Sequence, residues 1–510
     1  MNPADTSQQA VIDFLGDPAT HGGSPVKRID THAAAVFLAG ERAFKIKRAV
    51  RFPFLDYSTL DRRKAACAAE LEVNHPYAPV IYRRAVAITR AKDGVLAIGG
   101  AGEPVEWAVE MRRFDETQTL DHLADAQRID GALADALGRA VAQAHAAAPV
   151  NKTGGFADAL AEIIAQNDAE LRAAPELFPP PAVHALTQAT RAAFARVRDL
   201  LSLRERTGRV ARCHGDLHLG NIVLLDGAPV LFDAIEFDPR IATGDVLYDL
   251  AFLLMDLIER ELTVAANIVL NRYLSETRRV EDLDALAALP LFLSVRAAIR
   301  AKVTASRARL SDDRAKAEQS ARAYFMLAGK LLAPPPPMLL AVGGLSGTGK
   351  SVLGRMLAPE ILPLPGAVVL RSDVERKVLF AAAETDRLPE AAYARDVTAR
   401  VYALLADKAR RVVAAGHSAI VDAVFADAGE RTAIAQAAPA AAFRGLFLTA
   451  DLSVRISRVG GRKGDASDAD AAIALQQEQY DLGALQWAQV DASGSPEQTL
   501  RRTKTALGLA

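Results

Sequence analysis

A glycine-rich stretch from Gly344 to Ser351 has the composition and spacing of a phosphate-binding loop. It fits G-x-x-x-x-G-K-[ST] without a mismatch, between an apolar run at 338–342 and a helical pattern from Val352. Glycines let backbone N–H groups converge on phosphate oxygens, and the helix N-terminus adds partial positive charge. Lys350 is predicted to reach the β- and γ-phosphates of a nucleotide, and the Ser351 hydroxyl to bind Mg²⁺. The residues expected to contact the nucleotide are Gly344, Ser346, Gly347, Thr348, Gly349, Lys350 and Ser351.

A second polar group of residues lies between His214 and Asp233. It follows the order H-x-D-x-x-x-x-N, then a hairpin turn, then an apolar strand that ends in Asp233. This is the order of a kinase catalytic loop. Asp216 can accept the proton of an attacking hydroxyl, and Asn221 and Asp233 can supply oxygens for Mg²⁺. The competing interpretation is a polar loop whose side chains only cap turns.

The elements that must position the second group form a small α+β region followed by helices. Strand patterns predict a β-hairpin at 34–38 and 42–47, whose second strand carries Lys45 and Lys47 on one face. Ser58, with Asp61 three residues later, resembles a capping box for the next helix. That helix runs to about residue 73, and strands are predicted at 80–89 and 105–114. Further helices are predicted at 121–126, 129–147, 156–173, 182–203, 251–261, 264–276, 283–310 and 313–332.

A different pattern follows four prolines at 334–337, which form a short, stiff spacer and mark a predicted domain boundary. Strands and helices then alternate, which predicts a parallel, doubly wound sheet with ligands at its carboxyl edge. Asp373 and Asp422 both fall at that edge, and Asp422 is placed to reach Mg²⁺ or its water. The predicted strands are 338–342, 367–370, 418–422, 443–448 and 487–491.

Composition and charge set broad limits. The 510 residues exceed one ordinary core, so two or three domains are expected. A formal net charge of −1 gives no global field to attract nucleic acid or an anionic membrane. Two cysteines, Cys67 and Cys213, exclude a disulfide framework and suit a reducing cytoplasm. No secretory leader and no run of eighteen apolar residues is present, so we expect a cytoplasmic protein without a membrane span.

Three segments, 214–221, 232–238 and 244–253, resemble the aminoglycoside phosphotransferase-like kinases. The resemblance covers about residues 26–330 and implies a bilobal protein-kinase-like fold with an ATP cleft. It also implies that Asp245 and Asp249 brace the catalytic loop. The match is to a broad family with many different acceptors, so it does not identify a substrate.

The same resemblance implies a lysine that binds the α- and β-phosphates of ATP and pairs with Glu70. Lys47 is the first choice for this lysine. Lys45 remains the alternative, because both lysines share a strand face and only the register decides. No G-x-G-x-x-G precedes Lys45, so the loop that would cover the phosphates cannot be identified.

The region 338–508 is similar to small P-loop kinases of the gluconate-kinase, polynucleotide-kinase and zeta-toxin type. The resemblance implies that Asp373 is the base or Mg²⁺ organiser on the acceptor side and that Arg376 grips the acceptor. It also implies that Arg458 and Arg462 bind the phosphates. The residues that carry it are the loop 344–351, Asp373, Arg376, Asp422, Arg458 and Arg462.

The sequence therefore predicts a multidomain chain that joins an α+β kinase module to an α/β kinase module, a tandem order that resembles predicted bifunctional bacterial proteins. The expected divisions are an N-terminal extension (1–25), a phosphotransferase-like domain (26–333), the proline linker (334–337) and a P-loop domain (338–510). The leading hypothesis is that both modules use ATP and Mg²⁺ to phosphorylate hydroxyls of small molecules such as sugars. One alternative is that the P-loop domain is an ATP-hydrolysing switch that gates the first. Another is that Arg458 and Arg462 bind an RNA end, against which the near-neutral net charge weighs. The sequence does not indicate an oligomeric state.

Overall fold

A computed structural model describes residues 3–52, 55–308, 313–439, 441–461 and 466–509. The chain divides into two compact units, Met1–Glu162 with Leu201–Asp256, and Ile163–Leu200 with Leu257–Ala510. The predicted combination of an α+β and an α/β fold is confirmed. The proline stretch at 334–337 lies inside the second unit, and the domain boundary placed there stays a prediction. Within the described part of the chain, every helix is too short or too polar to cross a lipid bilayer.

The elements before residue 334 are mainly helical, with a sheet near the N-terminus. The strands are β1 Val26–Asp30, β2 Ala34–Ala39, β3 Arg42–Lys47, β4 Arg51–Phe52, β5 Leu55–Asp56, β6 Tyr82–Arg90, β7 Leu96–Ile98, β8 Glu103–Arg112, β9 Val210–Arg212, β10 Ile222–Leu225, β11 Ala228–Leu231 and β12 Thr243–Asp245. The α-helices are α1 Pro3–Gly16, α2 Leu60–Asn74, α3 Leu120–Asp125, α4 Gly131–Ala147, α5 Phe156–Arg172, α6 Pro180–Arg206, α7 Pro239–Ala242, α8 Val246–Glu259, α9 Thr263–Thr277, α10 Val280–Asp284, α11 Leu289–Ala308 and α12 Arg314–Leu331.

The first unit is built on a six-stranded sheet in the order β1-β2-β3-β8-β6-β7. The predicted hairpin is β2 and β3, joined through Gly40 at φ +56°, a conformation that glycine adopts without strain. Phe44 and Ile46 of β3 pack in a buried cluster with Val11 and Leu15 of α1. Because side chains alternate along a strand, Lys45 and Lys47 lie on the opposite face.

Two predicted helix details are wrong. Thr59, and not Ser58, caps α2, because the Ser58 hydroxyl donates to Asp56 Oδ1 at 2.6 Å while Thr59 Oγ1 accepts from Arg62 N at 3.3 Å. The helix predicted at 283–310 is interrupted before α11. Pro290 lies in the first turn of α11, where its missing N–H is tolerated but the preceding helix could not continue through it. Residues 309–310 of that prediction lie outside the described residues.

The region after residue 337 is an α/β layer structure, as predicted. The strands are β13 Met338–Gly344, β14 Val368–Arg371, β15 Ala419–Asp422, β16 Ala442–Thr449 and β17 Ala488–Asp491, and the α-helices are α13 Lys350–Leu357, α14 Ser372–Leu379, α15 Arg395–Ala414, α16 Ala428–Gln436, α17 Leu452–Gly460, α18 Ala471–Gln476 and α19 Pro496–Leu507. The sheet has the order β14-β15-β13-β16-β17, and every pair is parallel. All five carboxyl ends therefore lie at one edge, where the phosphate-binding loop follows β13.

Within the second unit, two side-chain amides join α9 to the edge strand β14. Asn267 Nδ2 and Asn271 Nδ2 donate to the carbonyl oxygen of Ala367, each at 3.1 Å, and Val369 N donates to Asn271 Oδ1 at 2.7 Å. An edge strand has backbone groups without a neighbouring strand, and the two amides satisfy part of this set. A helix that precedes the proline stretch is thereby bonded to a strand that follows it.

We expect Asn271→Ala to weaken this edge, because the Val369 N–H loses its acceptor. A buried donor without an acceptor costs about 1–3 kcal/mol, and because Val369 is only partly buried we expect a loss near the lower end of that range. Hydrogen exchange measured by mass spectrometry should show faster exchange in peptides that contain 367–371. Val264→Ala, at a residue of α9 that is 59% exposed, is the control and should leave that exchange unchanged. Equal exchange in Asn271→Ala and the unaltered chain would contradict the proposed support.

The buried ring of His417 predicts a pH dependence of stability. His417 is 1% exposed and its Nε2 lies 2.9 Å from the carbonyl oxygen of Gly366. Burial outweighs this hydrogen bond and lowers the pKa of His417 from 6.5 to about 4. As the pH falls, the unfolded chain binds a proton on His417 at a higher pH than the folded chain does. The contribution of His417 to the free energy of unfolding is therefore complete above pH 6.5 and is lost as the pH approaches 4.

The free energy of unfolding of the second unit should fall by about 3 kcal/mol over this range on account of His417 alone. His417→Gln keeps a hydrogen-bond donor but cannot titrate, so its unfolding free energy should fall less steeply between pH 6.5 and 4. Urea unfolding at a series of pH values measures the difference. Identical slopes for the two proteins would mean that His417 is not the group responsible.

Two candidate phosphoryl-transfer sites

The loop after β9 brings Asp216 and Asn221 of the first unit together, as the sequence pattern requires. Asn221 Nδ2 donates to the Asp216 carbonyl oxygen at 2.9 Å and to Asp216 Oδ2 at 3.1 Å. The Asp216 side chain is 41% exposed, so an acceptor can reach its carboxylate. Because the Asn221 amide nitrogen is used in these bonds, Oδ1 is the side-chain atom that can bind a cation.

Asp233 follows β11 in a left-handed conformation, with φ +60°. A residue other than glycine rarely adopts this backbone, which costs about 1 kcal/mol or more. Its N–H donates to the Tyr82 hydroxyl at 3.1 Å, and its Oδ1 accepts from Lys45 Nζ at 2.6 Å. The strained turn thus places a carboxylate beside the lysine.

Glu70 of α2 is fully buried between the two candidate lysines. Its Oε1 lies 2.8 Å from Lys45 Nζ and its Oε2 lies 2.7 Å from Lys47 Nζ. Burial alone would raise the pKa of Glu70, but Lys45 and Lys47 outweigh it and lower the pKa to about 2. Burial likewise opposes the charge of Lys45, yet Asp233 and Glu70 raise the pKa of Lys45 well above its usual value. Burial also opposes the charge of Lys47, but Glu70 and Glu236 raise the pKa of Lys47, so Glu70, Lys45 and Lys47 are all charged at neutral pH.

A cavity of about 300 Å³ distinguishes the two lysines. Lys45 and Asp233 line it, together with apolar side chains that include Val36, Leu38 and Phe232. Lys47 does not belong to the lining; its side chain is 4% exposed, and its ammonium group pairs with Glu70 and Glu236. The geometry favours Lys45, the alternative that the sequence left open. Glu236 had no assigned role in the sequence interpretation, although it lies in the segment 232–238.

The catalytic loop is braced by buried carboxylates. Asp249 Oδ1 accepts from Gly215 N at 2.8 Å, and Asp249 Oδ2 lies 3.0 Å from His145 Nε2. Asp245 accepts from Arg204 Nε and Nη2 at 2.6 and 2.7 Å, and both side chains are almost fully buried. Asp256, which the sequence patterns did not single out, accepts from Leu219 N at 2.9 Å. Asp249 and Asp256 therefore hold the backbone on both sides of Asp216, whereas Asp245 is bonded to Arg204 instead.

In the second unit, the phosphate-binding loop has a backbone that requires glycine. Gly347 has φ +87°, and a Cβ there would lie 2.6 Å from the carbonyl oxygen of Arg455. Gly344 has φ +142°, and a Cβ there would lie 2.7 Å from the carbonyl oxygen of Leu448. Arg455 is 2% exposed and its Nε donates to the Ser346 carbonyl oxygen at 2.8 Å. Arg455 of α17 therefore contacts the loop backbone directly and leaves no space for a side chain at Gly347.

The two predicted Mg²⁺ ligands of this site lie side by side. Ser351 Oγ donates to Asp422 Oδ2 at 2.5 Å. Arg371 Nη2 donates to Ser351 Oγ at 3.2 Å, and its Nε lies 3.5 Å from Asp422 Oδ2. The sequence interpretation gave Arg371 no role. In the structure it lies opposite Asp422 on the neighbouring strand, at the same edge of the sheet. A hydroxyl beside a carboxylate is an oxygen donor set that suits Mg²⁺.

Asp373 lies in the first turn of α14, at the same edge. Burial, followed by the negative charge of Asp422, raises the pKa of Asp373, although Arg371 and Lys350 oppose the rise. A carboxylate next to a second carboxylate also favours a bound cation. The structure thus gathers Lys350, Ser351, Asp373 and Asp422, the four residues that the sequence assigned to this edge.

The arginines predicted to bind acceptor or phosphate occupy different positions. Arg376 is 6% exposed, its Nη1 donates to the Ala392 carbonyl oxygen at 2.6 Å, and its guanidinium lies 4.8 Å from the centre of the Tyr393 ring. Arg458 donates to the carbonyl oxygens of Ala492 and Gly494 at 2.8 and 2.6 Å. Arg462 lies outside the described residues. Contacts with an acceptor or with phosphate stay predictions for all three.

Two family models match the chain. Residues 65–289 match the phosphotransferase enzyme family, and residues 339–482 match an AAA domain family. The sites described above fall mainly within these ranges. Lys45 lies before the first matched residue.

Solved structures with a similar chain course include two kinases. A choline/ethanolamine kinase family protein from Mesorhizobium loti is 15% identical, with a TM-score of 0.41 over 64% of this chain and 95% of its own. A gluconokinase from Sinorhizobium meliloti is 19% identical, with a TM-score of 0.26 over 34% of this chain and 93% of its own.

Two mycobacterial relatives match along most of their length. The uncharacterized proteins Rv2004c of Mycobacterium tuberculosis and Mb2027c of Mycobacterium bovis are each 31% identical over 486 residues. The alignment covers 92% of this chain and 93% of each relative. The chain therefore belongs to the family of these two mycobacterial proteins, and its phosphotransferase and P-loop domains make it an ATP-dependent kinase.

Proposed function

We propose that both sites transfer the γ-phosphoryl group of ATP to a hydroxyl of a small polyhydroxylated molecule, such as a sugar. The observation that supports this most is the pairing of Lys45 with both Glu70 and Asp233, in the same unit as the exposed Asp216 carboxylate that Asn221 holds. Phosphoryl transfer needs these groups, because catalysis depends on positioning and charge stabilisation rather than on covalent chemistry.

In the first site, Asp216 accepts the proton of the acceptor hydroxyl as its oxygen attacks the γ-phosphorus and ADP leaves. Asn221 holds Asp216 in place through its amide nitrogen. Asn221 Oδ1 and the Asp233 carboxylate would hold Mg²⁺, which offsets negative charge on the phosphates. Lys45 binds the phosphates from the cavity wall, and Glu70 keeps its ammonium group in position.

In the second site, Lys350 and the loop N–H groups bind the phosphates, and Ser351 and Asp422 would hold Mg²⁺. Asp373 takes the proton of the acceptor hydroxyl. A raised pKa makes its carboxylate a stronger base than an exposed aspartate. Arg371 stabilises the arrangement through its contacts with Ser351 and Asp422.

A second candidate function is an ATP-driven switch without its own acceptor. Arg272 of α9 pairs with Glu384 at 2.8 Å, and Glu384 lies 4.0 Å from Arg371. Arg371 contacts Ser351 and Asp422, so a chain of charged side chains runs from the nucleotide-binding edge to α9. Helix α9 lies within the range matched by the phosphotransferase family. This link joins the phosphotransferase-family region to the nucleotide-binding edge within the second unit, whether or not the second site has an acceptor.

The lysine assignment can be tested with Lys45→Met and Lys47→Met in the full chain. Lys45→Met should lower kcat/KM for ATP at the first site by about 10²–10³-fold, because a phosphate contact is lost. Lys47→Met should mainly lower stability, by about 3–5 kcal/mol, because the buried Glu70 and Glu236 lose a shared cation. Steady-state kinetics and urea unfolding separate the two effects. A larger kinetic loss in a stable Lys47→Met protein would restore Lys47 as the phosphate-binding residue.

The proposed function is tested by a γ-phosphoryl transfer screen over a library of hydroxyl metabolites. Asp216→Asn should remove one product and Lys350→Ala another, each by about 10²-fold or more, because each variant disables one site. Thermal unfolding of both variants is the control for folding. ATP hydrolysis without any product, abolished only by Lys350→Ala, would contradict the two-kinase proposal and support the switch.

A further inference from the structure

One carboxylate in the second unit joins three separate pieces of the chain. Asp468 Oδ1 accepts from Lys377 Nζ at 2.7 Å, and Asp468 Oδ2 accepts from Leu388 N at 3.0 Å and from the Tyr393 hydroxyl at 2.5 Å. The Lys377 side chain is 2% exposed and that of Asp468 is 10% exposed. Asp468 thus ties α14 to the segment 386–393.

Asp468 and Lys377 carry opposite charges that stabilise each other in this cluster of side chains. Burial alone would raise the pKa of Asp468, but hydrogen bonds from Lys377 and Tyr393 outweigh it and lower the pKa. Lys377 also donates to the carbonyl oxygen of Asp386. A nearly buried carboxylate that lost the ammonium group would be costly, so the cluster holds the segment as a unit.

Ser467 and Tyr393, which adjoin this cluster, both interact with Asp373, the proposed base of the second site. Ser467, which precedes Asp468, hydrogen-bonds to the carboxylate of Asp373. On the other side, the Tyr393 ring lies against the Arg376 guanidinium, and the charge of Asp373 acts on the Tyr393 hydroxyl. Tyr393 is 40% exposed, so its ring forms an accessible wall near Asp373.

We propose that Asp468 is a positioning residue for the acceptor of the second site. It fixes the segment 386–393 against α14 while Ser467 orients Asp373, so the acceptor hydroxyl meets the base between Asp373 and the Tyr393 wall. Asp468 acts through its neighbours and does not touch the reacting atoms. This inference rests on the proposed function, in which the second site phosphorylates a hydroxyl.

The test compares Asp468→Asn with Asp470→Asn in the full chain that also carries Asp216→Asn, so that only the second site turns over. Asp470, two residues away, is the comparison: it caps α18 and also pairs with Arg387 of the same segment, but both side chains are largely exposed and such a pair contributes little. Tyr393→Phe is a milder variant that removes one hydrogen bond and leaves the ion pair with Lys377. The probe is a pooled set of hexoses, pentoses and aldonic acids, followed by whichever member is phosphorylated.

We expect Asp468→Asn to raise the KM of the acceptor about 10-fold or more, with the KM of ATP within about twofold of its original value. Amide hydrogen exchange should also become about 10-fold faster in peptides that cover 383–394. Tyr393→Phe should give a smaller change in the same direction. Asp470→Asn should give much less than Asp468→Asn, because it loses only an exposed ion pair with Arg387. If Asp468 contributed only to overall stability, Asp468→Asn would change the KM of the acceptor and the KM of ATP together, or change neither.

Three results would overturn the inference. They are unchanged exchange in Asp468→Asn, equal changes in the KM of acceptor and ATP, and the same effects in Asp470→Asn. Absence of any phosphorylated product in the Asp216→Asn chain, with the expected change in exchange, would instead refute the proposed function. In that case Asp468 holds the segment but positions no acceptor.

Discussion

The buried carboxylate of Glu70 imposes the constraint on which the first site depends. A charge with no exposure must be balanced locally, and Glu70 is balanced by two lysines rather than one. Each lysine then needs a further carboxylate, which Asp233 gives to Lys45 and Glu236 gives to Lys47. The requirement for charge balance thereby draws α2, β3 and the segment after β11 into one arrangement.

The N-terminal helix extends the same network. Gln8 of α1 donates to the carbonyl oxygen of Lys47 at 2.8 Å and to Glu106 at 2.9 Å. Glu106 also accepts from Arg63 of α2 at 2.8 Å, and all three side chains are buried. Helix α2 is therefore bonded to two strands of the sheet. Arg63 contacts Glu106 of β8, and Glu70 contacts the lysines of β3. A segment that the sequence suggested was only an extension supports the lysine strand.

The second site obeys a different constraint, the common direction of parallel strands. Strands β13, β14 and β15 all end at one edge of the sheet. Their common direction is enough to bring together the residues that follow them, which are Ser351, Arg371, Asp373 and Asp422. Two carboxylates at this edge repel each other, and Arg371 with Lys350 reduces the repulsion. The edge strand β14 is in turn held by α9 through Asn267 and Asn271. This edge of the sheet is therefore bonded to a helix of the phosphotransferase-family region.

The motifs and the periodicity of the sequence were sufficient to predict both folds and an ATP-dependent kinase. Strict motifs, such as the loop 344–351 and the order of Asp216, Asn221 and Asp233, depend on local backbone requirements that one sequence displays. Strand and helix periodicity was sufficient for the parallel sheet. The sequence left Lys45 and Lys47 as alternatives, because both share a face and the partners Asp233 and Glu236 come from far along the chain. The structure favours Lys45, which lines the cavity together with Asp233.

The same reason explains the residues that sequence patterns missed. Arg371, Glu236, Asp256 and Asp468 are single charged residues without a diagnostic spacing, and each gains its role from a partner that is distant in sequence. Conversely, Ser58 had the spacing of a cap but was bonded to Asp56 instead. Local patterns determine which elements form, whereas long-range ion pairs and hydrogen bonds select the side chains that complete a site.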